Sequence, residues 1–194
     1  MQRCMTEDTV KRVFQLKKSR PVSIEIRYEG GNKSLMKNWL GINVSYYHQG
    51  GGDLGERMSR AFRESFHSGM KHVVIIGTDS PDLKMALLQN AFDTLKDNDV
   101  VLGPTHDGGY YLIGFNSKGF LPDIFKNIAW GRDTVFNDTM NILKKSRRTV
   151  HLLSQWHDVD TVDDLKDFIK RNQNTAFKRS KSFIFVQKMW RMSV

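Results

Sequence analysis

Three short apolar segments near the middle of the chain most strongly limit the possible folds. Residues 72–77, 99–103 and 109–115 read HVVIIG, DVVLG and GYYLIGF, and an amphipathic helical pattern at 84–96 separates the first two. A continuous apolar run of this length is typical of a strand buried on both faces of a parallel sheet. Strands that alternate with helices predict an α/β sandwich of three layers with a mostly parallel, Rossmann-like sheet.

The flanking segments continue this alternation of strands and helices. Other helices are predicted at 6–18, 33–41, 133–145 and 161–171 and after a glycine-rich loop within 50–69, and other strands at 22–28, 43–49 and 148–153. The pattern indicates a single domain over residues 1–172, followed by a basic tail at 173–194.

The positive charge of the chain is concentrated in its last thirty residues. The formal net charge is +9, and residues 165–194 carry eight Lys or Arg and one acid, which leaves +2 for the rest. A solvated and partly disordered end is the favoured interpretation, and a surface for nucleic acid or an anionic membrane is the alternative. Within this end, residues 181–190 form an apolar, strand-like run.

Composition and motifs exclude several classes of protein. Cys4 is the only cysteine, which excludes a disulfide framework and a cysteine-based metal site. The first residues lack an apolar signal region, and the apolar runs are too short to cross a bilayer, so we expect a cytoplasmic protein without stable membrane insertion. The patterns GxGxxG, GxxxxGK[ST], HExxH and GxSxG are absent, which argues against the corresponding nucleotide, metal and hydrolase sites.

Acidic residues follow the predicted strands in three loops. Asp79 follows 72–77, Asp107 lies between two strands, and Asp158 and Asp160 precede the last predicted helix. Ligands of open α/β sheets bind at the carboxyl ends of the strands, and carboxylates gathered there suit Mg²⁺. The alternative is a role in turns and at helix starts, which is strong for Asp158 and Asp160 and weaker for Asp79.

Four segments together resemble one family. QGGGDLGERMSRAF, VVIIGTDSPDL, DVVLGPTHDGGYYLIGF and WHDVDTVDDL are similar to the radical-SAM/selenodomain-associated transferases, and the resemblance runs from about residue 5 to about residue 170. That family belongs to the nucleotide-diphospho-sugar transferase superfamily, with the glycosyltransferase-A fold. The resemblance implies a glycosyl- or nucleotidyltransferase whose partner is a nucleotide or nucleotide-sugar, and no nucleic-acid partner is expected.

The resemblance also implies roles for individual residues. Asp79 and Asp160, with Asp158 as the rival of Asp160, would hold Mg²⁺ or Mn²⁺ at the nucleotide diphosphate. Asp107 would act at the transferred group, by bonding a hydroxyl or by helping to hold the metal. The residues expected to contact substrate are Thr78, Gly108, Gly109, Tyr110, Asp53, Glu56 and Arg57. For Arg57, an ion pair at a helix start is an equal alternative to a phosphate contact.

The sequence departs from the family at its beginning. Family members start with an additional strand and a basic loop, roughly PGKxKTRL, that holds the nucleotide phosphates, and no such motif occurs in this chain. The missing strand is expected beside the strand that ends at Asp79. A catalytically inactive binding or scaffold protein, or a truncated fragment of an active enzyme, is therefore the alternative to an active transferase.

Overall fold

The computed structural model describes residues 1–41 and 44–192 and contains the elements that the sequence pattern predicts up to residue 172. The helices are α1 Gln2–Ser19, α2 Lys33–Leu40, α3 Leu54–His67, α4 Met85–Thr94, α5 Val135–Lys145, α6 Val162–Asn172 and α7 Lys181–Met192. The strands are β1 Glu25–Tyr28, β2 Ser45–His48, β3 His72–Ile76, β4 Val100–Pro104, β5 Tyr110–Asn116 and β6 Val150–Leu152. Residue 43 of the strand predicted at 43–49 lies outside the described residues.

The strands form two sheets, and both contain parallel pairs. The larger sheet has the order β3-β5-β4-β6, and the smaller one pairs β1 with β2 in parallel. Strand β6 is parallel to β4, whereas β5 is antiparallel to both β3 and β4. Three strands of the larger sheet therefore run in one direction, and the predicted α/β class with a Rossmann-like sheet is confirmed.

Strand β3 differs from the sequence prediction. Residues 72–76 were expected to be buried on both faces, but all five are only half-buried. The reason is topological, because within the described chain β3 pairs with β5 alone and lies at an edge of its sheet. The missing strand expected at this position stays a prediction.

Helices cover both faces of the larger sheet and produce the layered core. Side chains of β4 alternate, so Val101 packs with Leu88 of α4, and Leu102 packs with Phe62 of α3. Phe62 is fully buried and meets Phe115 of β5 edge to face, with ring centroids 5.0 Å apart. This arrangement fixes the loops at the carboxyl ends of β3, β4 and β6.

The described part of the basic tail is folded, whereas its charge favoured a solvated and partly disordered end. Residues 181–192 form α7, and the strand-like interpretation of 181–190 is wrong as well. Phe183 and Val186 are buried against Met5 of α1 and Phe168 of α6. Their spacing of three residues is helical, which explains why an apolar run of this kind packs as a helix. No helix among the described residues has the length and apolar character required to span a membrane.

Candidate functional site

The parallel pairing of β4 with β6 brings two acidic loops together. Beyond the strands, Leu153 donates a backbone hydrogen bond to Leu102 (2.8 Å), and Trp156 donates one to Pro104 (3.0 Å). The two segments therefore remain side by side up to the bridge between Thr105 and Trp156. Because parallel strands end at the same edge, the residues that follow them meet there.

Three carboxylates meet at this edge. Asp107, Asp158 and Asp160 each offer an oxygen, and the three oxygens lie within 4.8 Å of one another. Asp107 and Asp160 are exposed and Asp158 is half-buried, so solvent and ligands have access to the cluster. We call these three residues the acid cluster.

The carboxylates of the acid cluster repel one another. The pKa of Asp158 is raised from 3.8 to about 6. Burial is the largest cause, and repulsion from Asp107 is the next. Burial and the charge of Asp107 also raise the pKa of Asp160. Within the described residues, no salt bridge joins Asp79 or a member of the acid cluster to a Lys, Arg or His side chain. Carboxylates without a cationic partner favour either a proton or a bound cation.

Asp79 lies near the acid cluster without being part of it. Burial raises its pKa most, and the charges of Asp160 and Asp107 raise it further. The strand order explains the separation, because β5 lies between β3, which leads to Asp79, and β4, which leads to Asp107. The structure therefore groups Asp107 with Asp158 and Asp160, where the sequence favoured Asp79 as the first metal ligand.

The turn that carries Asp107 is held by its own residues. The carboxylate of Asp107 accepts hydrogen bonds from the Thr105 hydroxyl and from the backbone N–H of Gly109, the latter at 3.0 Å. Gly108 has φ +91°, and a Cβ there would lie 2.0 Å from the carbonyl oxygen of Asp133. The backbone of Gly108 also accepts from Phe136 at 2.8 Å. Gly108 is thus required for packing against the start of α5.

Thr78 and Tyr110 lie in the loops around the acids. The Thr78 hydroxyl accepts a hydrogen bond from Gln2 of α1 at 3.0 Å. The ring of Tyr110 meets Trp130 edge to face, with centroids 6.4 Å apart, and burial raises the pKa of its hydroxyl. Trp130 also lies against Gly55 at the start of α3, so a single aromatic ring connects the Asp107 turn to the glycine-rich loop.

Asp53, Glu56 and Arg57 are engaged within the glycine-rich loop and α3. Asp53 and Glu56 form a reciprocal capping box, with N–H to carboxylate distances of 2.8 and 3.0 Å. Arg57 donates to the carbonyl of Gly52 at 2.9 Å and forms an ion pair with Glu29. These contacts give each of the three residues a structural role. The assignment of Asp53, Glu56 and Arg57 to substrate binding stays a prediction.

Sequence reasoning missed an anchor of the Asp79 loop. The buried carboxylate of Asp82 accepts from Arg171 at 2.7 and 3.1 Å and from Asn172 at 2.6 Å. This ion pair ties the loop after β3 to α6, whose start follows Asp158 and Asp160. The signal in the sequence was the second aspartate of TDSPDL, but its partner lies 89 residues away.

A pair of histidines beside the acids was also missed. The rings of His106 and His157 stack with centroids 4.3 Å apart, and each residue directly precedes a member of the acid cluster. Sequence alone gave no signal for this contact, since it depends on the parallel pairing of β4 with β6.

Comparison with solved structures agrees with this architecture. A protein assigned as a nucleotide-diphospho-sugar transferase from Desulfovibrio desulfuricans G20 is 35% identical, with a TM-score of 0.88 over 97% of this chain and 83% of the other. The bifunctional IspDF of Campylobacter jejuni is 13% identical over 84% of this chain and 45% of the other, with a TM-score of 0.55. A cytidylyltransferase from Leptospira borgpetersenii serovar Hardjo-bovis is 11% identical over 97% and 83%, with a TM-score of 0.52. The last two share the fold alone.

Comparison with curated proteins gives no match. A family model described as an uncharacterized protein conserved in bacteria, DUF2064, matches residues 9–132. Since that match spans more than half of the chain, this protein belongs to the DUF2064 family and has the nucleotide-diphospho-sugar transferase fold.

Proposed function

We propose that this protein is a metal-dependent transferase that acts on a nucleotide or a nucleotide-sugar. The observation that carries the proposal is the meeting of Asp107, Asp158 and Asp160 within 4.8 Å at the carboxyl edge of the sheet. Ligands of open α/β sheets bind at this edge. The relative from Desulfovibrio desulfuricans, which is 35% identical, is assigned as a nucleotide-diphospho-sugar transferase.

The chemistry of the acid cluster fits a hard divalent cation. All of its donors are carboxylate oxygens, the ligands that Mg²⁺ and Mn²⁺ accept in proteins. The raised pKa values of Asp158 and Asp160 indicate negative charge that a cation would stabilise. In this proposal Asp107, Asp158 and Asp160 hold the ion, and Asp79 adds negative charge beside them. When bound, the ion would supply charge neutralisation for the diphosphate of the substrate.

The neighbouring residues then orient the substrate. Gly109 and Tyr110 continue from Asp107 into β5, and Thr78 precedes Asp79, so the three border the acids from two loops. Trp130 connects Tyr110 to the loop that Asp53, Glu56 and Arg57 hold in shape. We infer that positioning by these groups, together with charge stabilisation, supplies the rate enhancement. Asp107 is the residue in contact with the transferred group.

The rival proposal is a protein that keeps the fold and binds nucleotides without catalysis. The observation that favours it is that Asp53, Glu56 and Arg57, which are candidates for substrate contact, are engaged in a capping box and an ion pair within the protein. Both proposals predict binding of a nucleotide, but only the first predicts turnover.

Phosphorus NMR distinguishes the two proposals. The full chain would be incubated with Mg²⁺ and, separately, with nucleoside triphosphates and with nucleotide-sugars, each alongside candidate phosphorylated and hydroxylated acceptors. Release of pyrophosphate would identify nucleotidyl transfer, and release of a nucleoside diphosphate would identify glycosyl transfer. We expect one of these products to form, and Asp107→Asn should suppress it at least tenfold. Binding of nucleotide without any product would support the inactive rival.

A further inference from the structure

We propose that α7 and the cavity at its beginning form a docking surface for an anionic phospholipid bilayer. This inference does not depend on the transferase proposal, since none of the residues that it uses on α7 or around the cavity belongs to the acid cluster. Two features carry it: an apolar stripe with lysines along the outer side of α7, and a cationic cavity beside its first turn.

The outer side of α7 is apolar and basic. Lys181, Ile184, Phe185, Lys188 and Met189 are all exposed, and their spacing places them on one side of a helix. Phe183 and Val186, on the other side, are buried against α1 and α6. The helix therefore has an inner face that the protein covers and an outer stripe in which large apolar side chains alternate with lysines.

The positive charge on and around this stripe favours an anionic partner. Asp167 is the last acid in the sequence, and Lys178 and Arg179 are exposed directly before α7. An amphipathic helix with lysines beside large apolar residues is typical of helices that lie in the interface of anionic membranes. Each cation near such a surface adds to the attraction. A nucleic acid would match the lysines but would leave Ile184 and Phe185 in water.

The cavity provides the second, independent feature. It has a volume of about 440 Å³ and lies between α1, α2 and the first residue of α7. Four charged residues line it: the cations Arg3, Lys11 and Lys181 and the carboxylate of Glu7. Hydrogen bonds from Lys181 and Trp39 hold the pKa of Glu7 at about 2, so Glu7 stays charged and two positive charges remain in excess.

The two features adjoin at Lys181, which lines the cavity and begins the stripe. Both features can therefore face the same membrane surface. One lipid would place its phosphate headgroup in the cavity, and a neighbouring lipid would place its acyl chains against Ile184 and Phe185. The contact would be peripheral, because α7 is held to the protein along its inner face.

Vesicle co-sedimentation of the full chain tests this inference. One set of vesicles contains phosphatidylcholine alone, and in the other a third of the lipid is phosphatidylglycerol. We expect binding to the anionic vesicles that weakens at high salt. Ile184→Ser should reduce the partition coefficient about three- to tenfold, since one apolar side chain is lost from the interface. Lys188→Glu should reduce it by a similar factor or more.

Two control variants locate the effect on α7. Leu152 on β6 is 46% exposed, close to the 42% of Ile184, so Leu152→Ser should leave vesicle binding unchanged. Lys118 is exposed in the turn after β5, and Lys118→Glu makes the same charge change as Lys188→Glu. Circular dichroism melting of each variant confirms that the fold is retained.

Four results would overturn the inference. The first is the absence of binding to anionic vesicles, and the second is an equal loss of binding in Lys118→Glu and Lys188→Glu, which would indicate net charge alone. The third is tighter binding to duplex DNA that Ile184→Ser does not alter. The fourth is a concentration-dependent dimer that Ile184→Ser abolishes, because a second copy would then cover the stripe.

Discussion

The carboxylate of Asp8 on α1 caps the beginning of α7 by binding Ser182. One oxygen of Asp8 accepts from the backbone N–H of Ser182 at 2.7 Å and from its hydroxyl at 2.6 Å. The other oxygen accepts from the N–H of Lys181 at 3.2 Å. Both Asp8 and Ser182 are buried, so the contact joins the two ends of the chain in a region from which water is excluded.

Removing this cap should destabilise the whole domain. Asp8→Ala leaves buried donors of Ser182 without an acceptor, and we expect the free energy of unfolding to fall by about 2–3 kcal/mol. Urea denaturation monitored by circular dichroism measures the change. Asp163→Ala, at an exposed ion pair on α6, should leave the midpoint unchanged. If α7 instead frays independently, Asp8→Ala will leave the main transition at the same urea concentration.

Gly108 should tolerate no side chain. In Gly108→Ala the new Cβ would lie 2.0 Å from the carbonyl oxygen of Asp133, a contact with backbone that only a shift of the turn can relieve. We expect a loss of roughly 2–4 kcal/mol in the free energy of unfolding.

The control variant Gly131→Ala distinguishes two possible causes of the loss of stability in Gly108→Ala, which are the steric contact with Asp133 and the strain of a positive φ angle. Gly131 has a similar positive φ of 82°, but a Cβ there meets no atom within 4 Å. Its substitution should cost only about 1 kcal/mol. Equal losses of stability in the two variants would show that the φ angle, rather than the contact with Asp133, requires glycine at position 108.

The ion pair of Asp82 with Arg171 should be necessary for stability. Arg171→Met removes a partner that donates at 2.7 and 3.1 Å to a buried carboxylate. We expect a loss of about 3 kcal/mol, because the carboxylate stays buried without its cation. Lys166→Met provides the control, since Lys166 forms only an exposed pair with Asp163 on the same helix. Melting temperatures that fall equally in both variants would contradict this role of Asp82.

Local patterns were sufficient to predict most of the elements but not how they meet. The apolar run HVVII predicts β3, and the helical pattern after the glycine-rich loop within 50–69 predicts α3. The edge position of β3 could not be predicted, since an apolar run does not reveal how many neighbours a strand has. The interpretation of 181–190 failed because an apolar segment of ten residues fits a strand or a buried helix equally well.

The candidate site shows the same division between local and non-local information. Each acid was identifiable because it follows a predicted strand. The grouping of Asp107 with Asp158 and Asp160, apart from Asp79, depends on the strand order β3-β5-β4-β6. Likewise, the contacts of Asp82 with Arg171 and of Asp8 with Ser182 join residues more than eighty positions apart. Such pairs follow from the topology, and a single sequence does not contain the topology.

The stability of the metal-free protein should depend on pH through Asp158. Its pKa is about 6 in the folded protein and 3.8 ordinarily, so folding favours the protonated carboxyl. Stability is therefore lost as the pH rises between about 4 and 6, and the full cost is present at neutral pH. Asp158→Asn should stabilise the metal-free protein by about 1 kcal/mol at pH 7, after allowance for its partial exposure, and should have little effect near pH 3.5.

Thermal unfolding in the presence of a chelator measures this difference at the two pH values. Asp163→Asn, an exposed substitution on α6 that lies outside the acid cluster, is the control and should give the same small change at both. An Asp158→Asn variant that is less stable than the unchanged protein at pH 7 would mean that the repulsion among the acids is compensated within the fold.

Calorimetric titration of ADP, CDP, GDP and UDP, with Mn²⁺ and with a chelator, tests the central claim most directly. We expect at least one nucleotide to bind only when Mn²⁺ is present. Asp107→Asn and Asp158→Asn should each weaken that binding at least tenfold, Asp79→Asn should weaken it through the loss of nearby charge, and Asp163→Asn should leave it unchanged. Binding that is equally tight with chelator, or that survives both Asp107→Asn and Asp158→Asn, would contradict a metal-dependent nucleotide site at the acid cluster.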